Sequence, residues 1–144
     1  MAYQDSAPGE ELVFLFGDGG GPETFAAGCS INTDRKLDLS SELSDAVLTD
    51  CTTPSAPGRH KRRVKSTDIK FTGGGIADIP SFNLLVELWH AGAPFNGKVV
   101  QYHDGGQTIT GKWLIENMSI GGAKGEEQNF DISLAIADPD YTIA

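Results

Sequence analysis

The clearest alternation of apolar and polar positions lies in residues 107–137. Residues 130–137 alternate large apolar side chains with small or polar ones, and this period of two predicts a strand. Its apolar face carries Phe130, Ile132, Leu134 and Ile136. Residues 108–118 are rich in β-branched and aromatic side chains, and the glycine-rich segment 121–127 joins the two runs. The pattern predicts a long β-hairpin with one apolar face and two edges that must be covered.

Further strands are predicted in four segments, at 11–16, 25–39, 67–72 and 98–103. The apolar side of the second segment consists of Ala27, Cys29, Ile31, Thr33, Arg35, Leu37 and Leu39. Glycine-rich segments punctuate these strands and predict turns after the first, the third and the fourth. They are residues 17–23, 73–75 and 104–106.

One segment, residues 79–91, has the periodicity of a helix instead. Asp78 is placed as its N-cap and Pro80 lies in the first turn, where proline is tolerated. The apolar residues that recur at helical spacing are Phe82, Leu85, Leu88 and Trp89. Gly92 and Pro94 end the pattern. The sequence therefore predicts a single amphipathic helix covering an open face or end of the strands.

Residues 40–66 show neither the alternation of a strand nor the periodicity of a helix, and they are predicted to be a long loop between strands. Their charge is segregated, with acidic residues first and basic residues second. The charged residues of the loop are Glu42, Asp45, Asp50, Arg59, Lys61, Arg62, Arg63 and Lys65. Such a loop can be merely solvated, but the opposite charges favour contact with a partner protein surface and can set its register.

Composition favours one mainly β domain. The chain has 144 residues, 18 glycines and seven prolines, which fits many short turns. Residues 1–10 are predicted to be a flexible arm and residues 11–144 the domain. The sequence has no apolar run long enough for a membrane span and no signal-peptide pattern, so we expect synthesis in a cytoplasm. Cys29 and Cys51 are predicted to be reduced thiols.

Charge and motifs exclude several classes of function. A net charge of −9 argues against a surface that binds DNA tightly, because such binding needs cations that neutralise phosphates. DNA can still pass along an acidic surface. His60, His90 and His103 lie in no metal-binding or catalytic motif. The glycine run 17–23 lacks the lysine and following helix of a phosphate-binding loop. The sequence predicts no cofactor, no metal site and no enzymatic activity.

The order of these parts resembles the major tail proteins of long-tailed, non-contractile bacteriophages. The opening stretch 15–25, in which a glycine-bearing turn precedes Glu23, Thr24 and Phe25, is similar to the beginning of that family. Residues 111–118 followed by 130–134 are similar to its final hairpin. Tail proteins encoded by prophages and gene transfer agents share the resemblance.

The resemblance implies a β-sandwich or barrel with one flanking α-helix and a long inter-strand loop. It implies hexameric rings that stack into a tube through the loop and the arm. Because the sequence shows no added C-terminal immunoglobulin-like domain, we expect a bare tube subunit. Tape-measure, tail terminator and distal tail proteins are then the expected partners in a virion tail assembled in the host cytoplasm. DNA would pass through the lumen without specific binding, and Glu116 and Asp131 are the candidate lumen-facing carboxylates.

Three alternatives stay open at this point. The first is a stand-alone β-barrel binding module, for example for oligonucleotides, which would need exposed aromatic side chains on one sheet face. The second is a small enzyme on a β scaffold. The third is a tube protein of a contractile or secretion-type injection machine, which shares the ring architecture.

Overall fold

The computed structural model describes residues 2–17, 23–28, 30–103 and 105–144. A 3-10 turn at Gly9–Glu11 precedes the strands and the helix. The elements are β1 (Leu12–Gly17), β2 (Phe25–Ala27), β3 (Asp34–Leu48), β4 (Arg59–Ile76), α1 (Ile79–Ala91), β5 (Phe95–Gln101), β6 (Thr108–Gly121), β7 (Asn129–Ile136) and β8 (Thr142–Ile143). The prediction of a mainly β fold with one helix is confirmed.

The predicted C-terminal hairpin lies at the centre of the sheet. Hydrogen-bonded neighbours follow the order β2, β1, β5, β6, β7, β4, β3, and β8 pairs with β6. β6 and β7 are antiparallel, with Trp113 opposite Ile136 and Ile120 opposite Phe130. Gly125, in the connection between them, has a φ of 86°, which glycine adopts without strain. The hairpin prediction is confirmed.

The apolar face of β7 forms the middle of the core. Phe130, Ile132 and Leu134 are each no more than 2% exposed, as their alternation predicted. In the described part of the chain, the other buried hydrophobic residues are Phe14, Ile31, Ile69, Phe71, Leu85, Val99, Ile109 and Trp113. The core is therefore assembled from β1, β4, β5, β6, β7 and α1.

Trp113 joins the aromatic side chains of this core. Its ring stands edge-on to Phe14, with centroids 5.2 Å apart, and Phe14 in turn lies 5.3 Å from Phe71. The indole Nε1 donates a hydrogen bond to the backbone oxygen of Gly97 at 3.1 Å. The ring is fully buried and its one polar group is hydrogen-bonded, so both packing and the hydrogen bond hold the Trp113 side chain in one position.

The helix begins and ends as the sequence predicted. The Asp78 carboxylate accepts a hydrogen bond from the backbone N–H of Ser81 at 3.2 Å, which caps the first turn. Gly92 ends the helix in the left-handed region, with a φ of 69°. Leu85 is buried, and Phe82 lies edge-on to Phe130 with centroids 5.8 Å apart. The helix therefore covers the core at β7.

The prediction of one long strand over residues 25–39 is wrong. β2 ends at Ala27 and β3 begins only at Asp34. Between them Ser30 accepts a hydrogen bond from the N–H of Asp78 at 2.9 Å. Asn32 bonds both the N–H and the C=O of Ile76, at 3.0 and 2.8 Å. These contacts between distant parts of the chain replace strand pairing, and Cys29 lies outside the described residues.

The prediction that residues 40–66 form a long loop is also wrong. β3 continues to Leu48 and β4 begins at Arg59, so only residues 49–58 connect them. β4 does not end at the three glycines either, since it runs on to Ile76. A Cβ added at Gly73 would lie 2.6 Å from the Ile31 side chain, so glycine serves close packing there.

The chain divides into two compact units. The core unit consists of Met1–Asp38 and Lys70–Ala144, and the hairpin unit consists of Leu39–Ile69. The turn predicted over 17–23 falls largely outside the described residues, as does Asp104 of the turn before β6. Flexibility of the arm 1–10 stays a prediction. No helix in the described part of the chain has the length and apolar character needed to cross a membrane.

Candidate assembly surfaces

The hairpin unit exposes nearly all of its side chains. Every residue from Leu39 to Thr67 is exposed except Ala56, which is half-buried. Large apolar side chains are among them: Leu39 is 65% exposed, Val47 62% and Val64 60%. Strands are normally stabilised by burying one face, so this unit presents apolar surface that a partner could cover.

Asp45 is the centre of a charge cluster in the hairpin unit. His60 Nδ1 lies 3.0 Å from both carboxylate oxygens of Asp45, and Arg62 Nε lies 4.0 Å from one of them. The alternation of β4 places His60 and Arg62 on the same face. No motif in the sequence indicates a role for His60. Its pairing with Asp45 depends on the strands that the loop prediction missed.

A second ion pair joins the same two strands. Lys65 Nζ lies 3.6 Å from a carboxylate oxygen of Glu42, and the Ser66 hydroxyl donates to the other oxygen at 3.3 Å. Asp50 has a different role, because its carboxylate accepts the N–H groups of Thr52 and Thr53 within the connecting turn. The cysteine of that turn, Cys51, is a free thiol and is exposed.

The remaining basic residues of the hairpin unit lie on the face of β4 opposite His60 and Arg62. Arg59, Lys61 and Arg63 alternate with them along the strand and are exposed. In the described part of the chain none of these three side chains has a carboxylate within ion-pair distance. The structure thus separates the sequence cluster into Arg62 and Lys65, which are paired inside the hairpin, and three cations that are not. We call these three the open basic face.

The candidate lumen residues share one face of the core unit. Asp131 pairs across the sheet with Ser119 and with Gly74, and its side chain is exposed on the face opposite Phe130 and Ile132. Glu116 is also exposed and interacts with Lys70, which lies on this same polar face. Whether the face lines a channel stays a prediction.

Glu116 sits at an irregularity of β6 that the sequence did not reveal. The register between β6 and β7 shifts between Ile115 and Asn117, so Glu116 is the extra residue of a β-bulge. Its carboxylate lies 3.4 Å from Lys70 Nζ. Both side chains are close to half exposed, so the pair contributes little to stability but reduces the negative charge at this position.

The other histidines have ordinary surroundings. His90 lies in the last turn of α1, where a cation is compatible with the helix dipole. His103 Nε2 is 2.9 Å from the side-chain oxygen of Gln101. Among the residues that the structure describes, no group of three or more histidine, cysteine, aspartate or glutamate side chains is arranged to hold a metal ion.

Solved structures similar to this chain include chains of two tails and a baseplate. A chain in the tail of an empty gene transfer agent particle superposes with a TM-score of 0.74 at 14% identity, covering 96% of this chain and 98% of that one. A chain of the SPP1 tail tube gives 0.65 at 13% identity, covering 96% and 78%. A chain of the anti-feeding prophage baseplate gives 0.60 at 11% identity, covering 100% and 97%.

Comparison of sequences adds no closer relative. No protein-family model matches the chain, and no curated protein matches it. At identities this low the structural likeness establishes the fold. The fold is nevertheless shared over almost the whole length of the chain, and its mainly β character with one helix agrees with what the sequence resemblance implied.

Proposed function

We propose that this chain is a structural subunit of a phage-like tail tube. Copies would assemble into hexameric rings, and the stacked rings would form a conduit for DNA. The observation that carries the proposal is the agreement over 96% of the chain with a protein of a gene transfer agent tail, a tail solved with C6 symmetry. The role is structural, and the protein would be located in a virion tail.

The exposure of the hairpin unit supports self-assembly. A two-stranded ribbon without a packed face is only marginally stable in water. Leu43, Val47 and Val64 are each more than half exposed in the single chain, and burying them between copies would stabilise both the contact and the ribbon. Stacking of one ring on the next through this unit gives such burial.

The polar face of the core unit supports the proposed lumen. Glu116 and Asp131 lie on it, opposite the side chains that form the core. A channel with such a surface would keep the polyanionic genome from adhering, because DNA binding depends on cations that neutralise phosphates. Tape-measure, tail terminator and distal tail proteins are the partners expected for a tube with this role.

A second candidate function is supported by the match to the anti-feeding prophage baseplate. In that case the chain would be a tube subunit of a contractile or secretion-type injection machine. The ring architecture would be the same, and the two candidates would differ in whether a sheath surrounds the tube. The presence or absence of a sheath protein in purified particles would distinguish the two candidates.

The test is electron microscopy of the purified protein at high concentration, with light scattering on the same sample. The proposal predicts hollow rings or tubes and a scattering mass that increases with concentration. Image classes should have sixfold rotational symmetry. Rings of another symmetry would overturn the hexamer, and a protein that stays monomeric at every concentration and salt condition would contradict the proposal as a whole.

A further inference from the structure

We propose that the open basic face of the hairpin unit, formed by Arg59, Lys61 and Arg63, binds carboxylates of a second copy of this chain. The inference deepens the proposed function and rests on it, because it names the surface and the chemistry that hold copies together. It goes beyond the charge segregation visible in the sequence, which did not distinguish these residues from Arg62 and Lys65.

The first argument is the difference in pairing along β4. Arg62 faces Asp45 and Lys65 faces Glu42, so their charges are compensated inside the hairpin. The residues of the open basic face lie on the opposite side of the strand from Arg62 and on the same side as Lys65, but none of the three has a carboxylate within ion-pair distance among the described residues. Residues two apart in a strand are separated by about 7 Å, so three like charges repel one another along this face. An acidic partner removes that repulsion.

The second argument is charge complementarity between units of different copies. Residues 39–69 contain five basic and four acidic side chains, and the rest of the chain contains six basic and sixteen acidic side chains. The hairpin unit therefore has a net charge of +1 and the remainder −10. A second copy of the chain is thus itself an acidic partner, and opposite potentials favour and orient such a contact.

Nucleic acid fits the open basic face less well. Residues 39–69 contain no phenylalanine, tyrosine or tryptophan on which a base could stack. A strand of phosphates that approached three cations would also meet the repulsion of the remaining −10 charge. The surface has the chemistry to bind protein carboxylates in preference to a polynucleotide.

A zero-length carbodiimide cross-linker tests the contact directly, because it joins a lysine amine to a carboxylate only where the two touch. Unlabelled and 15N-labelled protein are mixed under dissociating conditions, allowed to associate and then cross-linked. Mass spectrometry should find Lys61 joined to aspartate or glutamate peptides of the opposite isotope. Lys61→Arg is the control, since it keeps the charge and the association but removes the reactive amine.

Charge reversal gives the second measurement. Lys61→Glu with Arg63→Glu should raise the concentration needed for half-maximal association about tenfold, as measured by sedimentation at low salt. Lys36→Glu with Lys124→Glu changes the net charge equally at exposed positions of the core unit and should have a much smaller effect. Circular dichroism melting of each variant shows whether its fold is kept.

The outcomes separate the inference from the proposed function. Mixed-isotope cross-links at Lys61 in small oligomers that never form rings would support the inference while the tube proposal failed. Rings or tubes that lack these cross-links and tolerate the reversal would overturn the inference while the tube proposal stood. The inference would also be overturned if a labelled oligonucleotide bound the protein at Lys61 while Lys61 formed no cross-links between copies.

Discussion

The core unit and the hairpin unit are both built from paired strands, but the core unit buries its large apolar side chains and the hairpin unit leaves them exposed. In β7 of the core unit, Phe130, Ile132 and Leu134 are at most 2% exposed. In the hairpin unit, Leu39 and Val47 of β3 are 65% and 62% exposed. The same residue types in the same backbone conformation thus stabilise the fold in one unit and remain available for contacts in the other.

This difference indicates where stability and association each originate. Burial of apolar area is the main favourable contribution to folding, and in the described residues it is concentrated around Phe14, Phe71 and Trp113. The hairpin unit has cross-strand ion pairs, which are exposed and contribute little. We therefore expect substitutions in the core to change the free energy of unfolding and substitutions in the hairpin to change association.

The largest expected effect is that of Trp113→Ala. Removing a fully buried indole leaves a cavity and removes its hydrogen bond to the Gly97 carbonyl, which should lower the free energy of unfolding by about 3–5 kcal/mol. Urea denaturation followed by circular dichroism measures it. Trp89→Ala is the matched control, because Trp89 is 57% exposed, and it should cost less than about 1 kcal/mol. Equal losses in both variants would contradict the assignment of the core.

An intermediate effect, on association alone, is expected for Arg62→Glu combined with Arg63→Glu. The change places a carboxylate beside Asp45 and reverses part of the open basic face, so rings should persist while their stacking weakens. The free energy of unfolding should change by less than about 0.5 kcal/mol. Tube length and salt resistance, measured by electron microscopy and light scattering, should both decrease. Tubes of unchanged length and salt resistance would count against a stacking role.

The two single variants sharpen this prediction. Arg62→Glu acts inside the hairpin, where Arg62 faces Asp45, whereas Arg63→Glu acts on the open basic face. If the faces have the roles proposed here, high salt should reduce the difference in association between Arg63→Glu and the unsubstituted protein, because exposed charges are screened.

The smallest effect on association is expected for Glu116→Lys combined with Asp131→Lys. Both side chains are exposed, and the ion pair of Glu116 with Lys70 is partly screened by solvent, so stability should change by less than about 1 kcal/mol. In assembled particles the change would place cations along the proposed lumen and slow DNA passage. Normal DNA delivery by such particles would argue that these residues do not line the channel.

The sequence predicted best those elements whose residue pattern reflects burial. The alternation around Ile132 and the capping residues Asp78 and Gly92 are local signals, and the structure confirms what they predicted. The break between β2 and β3 has no local signal, because Ser30 and Asn32 bond residues more than 40 positions away. Only the folded chain brings those partners together.

The hairpin unit was missed for a different physical reason. Period-two patterns arise when one face of a strand is buried, and both faces of this ribbon are exposed, so its strands carry no such pattern. The charged residues of the segment were identified from the sequence. Their division into paired and unpaired cations required the folded strands, which bring Arg62 to Asp45 and Lys65 to Glu42.

Hydrogen–deuterium exchange of the protein in dilute solution and after assembly tests most directly the division between a folding core and an associating hairpin. Amides of β6 and β7 around Trp113 should exchange slowly in both states. Amides of residues 40–67 should exchange fast in the dilute subunit and at least tenfold more slowly after assembly, because a second copy covers them. A hairpin that exchanges equally fast in both states would contradict this account.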